Sequence, residues 1–181
     1  MVFDDQTLLR QLRLGDRDAY IKVAERFKAE IWAYAYRLCG DRELAADICQ
    51  ETAIAVWRAA PEFVGIKALR SWVYRVAHNI YVDYRRKAGP RVISLDEMTH
   101  EMPAPCEHNS ITTLAAEQSV ARALRQLPED LRLGIVLTKI QGLTSREAAD
   151  VLQVPVGTLK WRVAHGLKAL RERMTEDSDE W

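Results

Sequence analysis

The sequence predicts an all-α fold of two small helical domains joined by a flexible linker, the C-terminal one containing a helix-turn-helix. Two observations predict the fold class: apolar residues recur at helical spacing almost throughout, and the alternating β-branched runs typical of strands are absent. A proline-containing acidic stretch near the middle of the chain predicts the division into two domains. The 181 residues, of which 48% are hydrophobic, suffice for two small cores.

The N-terminal domain is predicted to span residues 1–88. Helical periodicity is interrupted at three places, near Gly15, Gly40 and Pro61. Asp41 is a natural N-cap for the third helix, because its carboxylate can accept a hydrogen bond from an amide that has no partner within the helix. Four helices are therefore expected, near residues 4–14, 18–38, 43–59 and 67–88.

A linker is predicted at residues 89–111, followed by the C-terminal domain at 112–174 and an acidic tail at 175–181. Pro128, followed by two acidic residues, marks a helix start within that domain. Four helices are expected there, near residues 112–126, 128–141, 144–152 and 156–173.

The net charge of zero conceals a segregation of charge along the chain. The two predicted domains carry net charges of +3 and +4, whereas the linker carries −3 and the tail −4. Two mildly basic blocks thus alternate with two acidic connectors. This pattern predicts weak DNA binding by the isolated chain and an acidic tail that competes for the chain's own basic surface.

The segment from Gly142 to Arg162 predicts a helix-turn-helix, which can place one helix in the DNA major groove. Thr144 and Glu147 have the spacing of a capping box, which fixes the start of the first helix. Pro155 suits the start of the second helix, because the N–H that proline lacks has no partner there. Gln153 occupies the turn position that usually needs a positive φ, which costs a non-glycine residue about 1 kcal/mol.

The second helix of this motif has two different faces. Its apolar face is expected to pack against the first helix and contains Leu159, Val163, Leu167 and Leu170. The polar, aromatic and cationic side chains that can reach DNA are Thr158, Lys160, Trp161, Arg162, His165 and Lys168. Trp161 has two open interpretations, which are contact with a thymine methyl or sugar edge and packing onto the first helix.

The helix predicted at 67–88 also has two faces. Its apolar stripe, expected in the core, contains Leu69, Trp72, Val73, Val76, Ala77, Ile80 and Tyr84. The opposite face is basic and aromatic and contains Lys67, Ser71, Tyr74, Arg75, His78, Arg85 and Arg86, with Asn79 and Asp83 on its shoulder. Such a face can follow a nucleic-acid backbone and stack on bases. An ordinary solvated helix face has the same composition, so both interpretations remain open on this segment alone.

Other features exclude several classes of protein. No run of about eighteen apolar residues is present and the N-terminus is acidic, so we expect a cytoplasmic protein. Cys39 and Cys49 flank a helix start, where buried structural thiols are commoner than a redox-active pair. His100, Cys106 and His108 lack the paired spacing of metal ligands, so no metal site is predicted.

Four motifs occur in a specific order along nearly the whole chain. They are Gly15-Asp16-Arg17-Asp18-Ala19-Tyr20, then Asp47-x-x-Gln50-Glu51 with Trp57, then Trp72-x-Tyr74-Arg75-x-Ala77-x-Asn79-x-x-x-Asp83-Tyr84, and finally Leu127-Pro128 with the helix-turn-helix. In this order and spacing they resemble the extracytoplasmic-function (ECF) sigma factors of bacterial RNA polymerase. The second motif is similar to the family's polymerase-binding helix, the third to its helix for the upstream part of the promoter, and the last to its promoter-reading domain.

The resemblance implies a factor that binds core RNA polymerase, directs it to promoter DNA and helps to open the promoter, and that is neither an enzyme nor dependent on a cofactor. It assigns polymerase binding to Asp47, Gln50 and Glu51. It assigns contact with DNA near the melted region to Phe63, Gly65, Ile66, Lys67, Leu69, Trp72, Arg75, Asn79, Asp83, Arg85 and Arg86. It assigns the distal promoter element to Thr158, Lys160, Trp161, Arg162, His165 and Lys168. An anti-sigma factor that covers both domains is a further implied partner.

Two other classes of function compete with this interpretation. A stand-alone helix-turn-helix regulator usually carries a ligand-sensing or dimerisation domain, and residues 1–88 show no ligand-binding fingerprint. A redox or metal enzyme would depend on the scattered cysteines and histidines. Control by the acidic tail is the alternative to control by an anti-sigma factor.

Overall fold

The computed structural model describes residues 5–62, 69–88, 120 and 122–176, and within these ranges all regular structure is helical. The predicted all-α fold class is thus confirmed. Contacts divide the chain into two compact units, the first built from residues before Ser94 and the second from most of the residues after it. The predicted linker at 89–111 and the end of the tail lie outside the described residues, so the exact domain limits stay a prediction.

The first unit contains four helices. They are α1 (Asp5–Arg13), α2 (Arg17–Cys39), α3 (Arg42–Ala59) and α4 (Leu69–Ala88), with a short 3₁₀ turn after α3 at Ala60–Glu62. Each lies within two residues of its predicted position at both ends. Their buried side chains form the core of this unit, in which α4 packs against α1, α2 and α3.

Local capping explains where these helices begin and end. The Asp16 carboxylate accepts hydrogen bonds from the amides of Asp18 (2.9 Å) and Ala19 (3.2 Å) at the start of α2. The predicted Asp41 cap is confirmed, because its carboxylate accepts from two amides in the first turn of α3 at 2.8 and 3.1 Å. Between the two helices Gly40 has φ 69°, a left-handed conformation that ends α2 at low cost.

Helix α4 buries more of its circumference than its apolar stripe predicts. Tyr74 and His78 were expected on the exposed basic face, and that expectation is wrong because both are buried. The Tyr34 hydroxyl lies 3.3 Å from His78 Nδ1, and the Tyr74 hydroxyl donates to Glu30 at 3.1 Å. Helix α2 therefore supplies hydrogen-bonding partners that allow these two polar side chains to enter the core.

The second unit contains a helical segment at 122–125 followed by three longer helices. These are α5 (Glu129–Ile135), α6 (Ser145–Leu152) and α7 (Val156–Glu176). The single helix predicted at 128–141 instead changes to a π-helical turn at Val136–Ile140, which ends with a hydrogen bond from the Gln141 amide to the Val136 carbonyl (2.8 Å). Helix α7 runs three residues beyond its predicted end at 173.

The helix-turn-helix prediction is confirmed in its local details. The Thr144 amide donates to the Glu147 carboxylate at 2.8 Å, and the Glu147 amide donates to the Thr144 hydroxyl at 3.2 Å, which completes the capping box. Gln153 has φ 54° in the turn, as the sequence predicts. The Pro155 carbonyl accepts the first hydrogen bond of α7 from Leu159 (3.0 Å), so the proline directly precedes the helix.

The apolar face of α7 was expected to pack against α6, but its main contact is with α5. A Cβ placed on Gly134 of α5 would lie 3.1 Å from Val163 Cγ2 and 3.4 Å from Leu159 Cδ1. A Cβ on Gly166 of α7 would lie 2.8 Å from Ile135 Cδ1 and 3.2 Å from Leu131 Cβ. Two glycines that the sequence analysis did not single out therefore let α5 and α7 cross closely.

Replacing Gly166 by valine is expected to lower the free energy of unfolding of the second unit by about 1–3 kcal/mol, because the added atoms overlap α5. Gly157→Ala is the matched control, since a Cβ at Gly157 meets nothing within 4 Å. The control should be neutral or stabilising by up to about 1 kcal/mol, because alanine favours the helix. Urea denaturation of the full chain followed by circular dichroism measures both, and equal stabilities for the two variants would contradict the close crossing.

Candidate polymerase and promoter interface

Helix α3 presents one buried and one exposed face. Its buried side contains Ala45, Ile48, Thr52 and Val56. The hydroxyl of the buried threonine donates to the Ile48 carbonyl at 2.6 Å, which satisfies it within the core. The opposite side exposes Asp47, Gln50 and Glu51, the three side chains predicted to bind polymerase. This surface is acidic and is held on a helix anchored along its other side.

The exposed face of α3 becomes apolar toward its C-terminus. Ile54 and Trp57 follow Glu51 by about one and two turns and are 40% and 38% exposed. The Trp57 ring and the Tyr20 ring of α2 make an edge-type contact at a centroid distance of 5.0 Å. Large exposed apolar side chains next to carboxylates are typical of protein interfaces. The sequence motif included Trp57, whereas Ile54 was missed, although it lies on the same helical face.

Tyr84 connects this face to α4. Its hydroxyl donates to the Glu51 carboxylate at 2.7 Å. The hydrogen bond, followed by burial and the negative charge of Glu51, raises the pKa of Tyr84 to about 12, so the phenol stays protonated and remains a donor. The sequence pattern placed Tyr84 in the apolar stripe of α4, where it lies at the edge rather than in the core.

The exposed face of α4 contains several of the predicted DNA-binding residues. Asn79, Asp83 and Arg86 are exposed on this face, and Arg75 and Arg85 are half-buried. The Arg86 guanidinium lies 3.0 Å from the Asp83 carboxylate. Val82, next to Asp83 in the sequence, is also exposed, and the sequence analysis missed this apolar side chain. This face combines cations, an amide and an apolar group, which are the chemical types that contact DNA.

The exposed face of α7 contains Lys160, Trp161, His165 and Lys168, with Thr158 half-buried beside them. Trp161 is 57% exposed and its ring stacks on that of His165, with a centroid distance of 4.0 Å and an interplanar angle of 28°. The alternative in which Trp161 packs onto the preceding helix is therefore wrong. The indole lies on the surface that the helix-turn-helix prediction assigns to DNA.

Family profiles match both units. The profile described as Sigma-70 region 2 matches residues 23–91, and the profile described as Sigma-70, region 4 matches residues 117–170. The chain is 28% identical to the ECF RNA polymerase sigma factor SigW of Bacillus subtilis over 178 residues, which cover 93% of this chain and 95% of SigW. It is 27% identical over 180 residues to the ECF RNA polymerase sigma-E factor of Escherichia coli, covering 94% of each chain.

The chain belongs to the ECF sigma factors. Solved structures agree with this: CnrH, in complex with the cytosolic domain of CnrY, has a TM-score of 0.72 at 25% identity and covers 96% of this chain and 98% of its own. The sigma factor RpoE of Bartonella quintana shares the fold, with a TM-score of 0.68 at 24% identity over 88% of this chain and 96% of its own. The protein is therefore a sigma factor that directs RNA polymerase to promoters, and a stand-alone regulator is not favoured.

Within this sigma factor, three of the residues assigned to DNA do not lie on the exposed faces of α4 and α7. Leu69 is buried and Trp72 is only 4% exposed, so the core position predicted by periodicity is confirmed for both, while their assignment to DNA stays a prediction. Arg162 forms an ion pair with Asp130 of α5 at 2.8 Å and is mostly buried, so it ties α7 to α5 and does not extend from the exposed face. The remaining loop assignments, Phe63, Gly65, Ile66 and Lys67, lie outside the described residues.

A polar network that the sequence analysis missed anchors the start of α4 in the sigma factor. The Glu30 carboxylate accepts hydrogen bonds from Arg70 Nε (3.1 Å), Arg70 Nη2 (3.0 Å) and the Tyr74 hydroxyl (3.1 Å). Burial, followed by the negative charge of Glu30, raises the pKa of Tyr74 above its ordinary value. The four-residue spacing of Arg70 and Tyr74 was the only signal in the sequence, because their partner lies forty residues away. The network fixes the first turns of α4 against α2.

The described residues offer no support for the redox or metal interpretations. Among them, no three side chains of metal-ligating types are grouped to hold an ion. The Cys39 thiol contacts the Asp41 carbonyl at 3.3 Å, and the Cys49 thiol contacts the Lys28 carbonyl at 3.4 Å. Burial raises the pKa of Cys49, which disfavours its reactive thiolate form. His100, Cys106 and His108 lie outside the described residues.

In the part of the chain that is described, no helix has the length and apolar character needed to cross a membrane.

Proposed function

We propose that the first unit holds the chain on core RNA polymerase through the exposed face of α3, while the exposed faces of α4 and α7 bind promoter DNA. The observation that carries this proposal is the chemical division of the surface. The face of α3 is acidic and apolar, whereas the faces of α4 and α7 are rich in cations and hydrogen-bonding groups. Phosphate repels the first type of surface and attracts the second.

Polymerase docking is assigned to Asp47, Gln50 and Glu51, extended by Ile54 and Trp57. The three polar residues lie within about one helical turn, so a single partner surface can contact them together. The apolar pair supplies area that can be buried, and the carboxylates orient the complex. Tyr84 keeps one carboxylate in place through its hydrogen bond to Glu51.

Promoter recognition near the melted region is assigned to Arg75, Asn79, Asp83, Arg85 and Arg86. The arginines can neutralise phosphates, and the asparagine amide can pair with the edge of adenine. Helping to open the promoter is assigned to the loop with Phe63, Gly65, Ile66 and Lys67, on the family resemblance alone. A pocket for an unpaired base there would recover by stacking the few kcal/mol that unpairing costs.

Recognition of the distal promoter element is assigned to α7. Lys160 and Lys168 are exposed cations that can contact phosphate, and Thr158, Trp161 and His165 can face base edges. The domains that carry these roles are residues 1–88 and 112–174, connected by a linker at 89–111.

An inhibitory partner is part of the proposal. The similar chain CnrH forms a complex with the cytosolic domain of CnrY, and the Bartonella RpoE forms one with the anti-sigma factor NepR. We infer that an anti-sigma factor also binds this chain. A protein recovered with the tagged chain from its native cells should block transcription when it is added back, and recovery of no such inhibitor would favour control by the acidic tail.

The chain is proposed to act in the cytoplasm and not as an enzyme. Binding to polymerase and to promoter DNA is sufficient to explain the exposed faces of α3, α4 and α7. No reaction catalysed by the chain is needed to explain them. Cell fractionation should recover the chain with the polymerase. Recovery in the membrane fraction without polymerase would contradict this location.

The proposal is tested by mixing the purified full chain with core bacterial RNA polymerase and a promoter library, and by sequencing the transcript starts. We expect discrete starts that share two spaced upstream sequence elements, because two separate units contact the promoter. The control is core polymerase without the chain. Duplex binding by the chain alone, with no starts in the complete mixture, would instead favour a stand-alone regulator.

A further inference from the structure

Trp161 and His165 form a stacked pair on α7. A hydrogen bond within this pair determines which ring nitrogen of His165 carries a proton. His165 Nδ1 lies 2.9 Å from the carbonyl oxygen of Trp161, one turn earlier in α7. A carbonyl oxygen can only accept a hydrogen bond, so this contact requires the proton on Nδ1. In the neutral imidazole, the second ring nitrogen Nε2 is then an acceptor.

The indole of Trp161 holds this arrangement in place. The two rings stack at a centroid distance of 4.0 Å with an interplanar angle of 28°, which limits rotation of the imidazole. Both side chains are exposed on the same face as Lys160 and Lys168. Lys160 and Lys168 can only donate hydrogen bonds, whereas the neutral imidazole of His165 offers an acceptor of fixed orientation on this face.

An acceptor discriminates among bases in the major groove. Adenine presents an amine at N6 and cytosine an amine at N4, whereas guanine presents the acceptors N7 and O6, and thymine the acceptor O4. We propose that the Trp161–His165 stack recognises a base with an exocyclic amine, adenine or cytosine, in the distal promoter element. Nε2 of His165 would accept a hydrogen bond from that amine. This inference rests on the proposed entry of α7 into the major groove.

The experiment uses the full chain with core polymerase and a promoter library randomised in the distal element. The wild-type chain is expected to favour adenine or cytosine at one position by about fivefold, the effect of one neutral hydrogen bond. His165→Phe retains a ring for stacking but has no acceptor, and should remove that preference at that position alone. His165→Arg provides only donors and should shift the preference there to guanine.

A base analogue tests the amine directly. A promoter that carries purine without the N6 amine, or pyrimidinone without the N4 amine, should lose about fivefold in transcription with the wild-type chain. With His165→Phe, removing the amine from the promoter should cause no further loss of transcription. Trp161→Phe should retain most of the preference and Trp161→Ala should relax it, because only phenylalanine can still stack.

Lys168→Ala is the control, since loss of a phosphate contact should weaken all promoters similarly. The inference is overturned if His165→Phe leaves every position of the distal element unchanged, or if the promoter without the amine is transcribed by the wild-type chain as well as the natural promoter. The absence of any selected distal element would overturn the proposed role of α7 itself. The two failures are therefore distinguishable in one data set.

Discussion

Reversing two charges with Asp47→Lys and Glu51→Lys together is expected to lower the affinity of the chain for core RNA polymerase by about 100-fold. Both side chains are exposed on α3, so neither reversal disturbs the core. Placing two cations where the partner surface receives carboxylates costs several kcal/mol, and about 3 kcal/mol corresponds to two orders of magnitude. Binding of labelled chain to core polymerase measures the loss, and transcript yield from the selected promoters should fall with it.

The control for this charge reversal is Glu172→Lys, which changes an exposed carboxylate on α7. It should leave polymerase affinity within about twofold of the wild type, because single exposed charges away from an interface contribute little. Raising the salt concentration should narrow the difference between the double variant and the wild type, since exposed charges are screened. Unchanged affinity of the double variant at low salt would remove α3 from the polymerase interface.

Features set by a few neighbouring residues were predictable from the sequence. The Asp41 cap, the capping box of Thr144 with Glu147, and the positive φ of Gln153 all depend on contacts within four residues along the chain. The exposed position of Asp47 follows equally from the helical period. These local rules were sufficient for the fold class and for helix limits accurate to a few residues.

Features set by distant residues were not predictable. Burial of His78 depends on a hydroxyl supplied by Tyr34, forty-four residues away. Arg162 was assigned to DNA because arginine commonly binds phosphate, but the carboxylate of Asp130 takes up its charge. The periodicity of α7 identified its apolar face correctly, yet it could not show that α5, through Gly134, is the helix that covers it. One-dimensional patterns indicate which side of a helix is buried, not which partner buries it.

Trp72 lies at the centre of this conflict, because the resemblance assigned it to DNA and the periodicity to the core. With 4% of its surface exposed, the side chain has almost no area to offer a ligand. Trp72→Ala is expected to lower the free energy of unfolding of the first unit by about 3–5 kcal/mol, the cost of deleting a large buried aromatic side chain. This is a large share of the roughly 5–15 kcal/mol that stabilises a typical domain. Urea denaturation followed by circular dichroism measures the change.

Trp161→Ala is the matched control for this substitution, since it deletes the same side chain from an exposed position. Its stability should change by no more than about 0.5 kcal/mol, as is usual for surface substitutions, while the preference for promoters changes. Trp72→Ala should show the opposite combination, in which transcription from all promoters falls in proportion to the unfolded fraction and their ranking is retained. If Trp72→Ala were as stable as the wild type but altered promoter ranking, the side chain would have to reach DNA, and the packing of α4 against α2 and α3 would need revision.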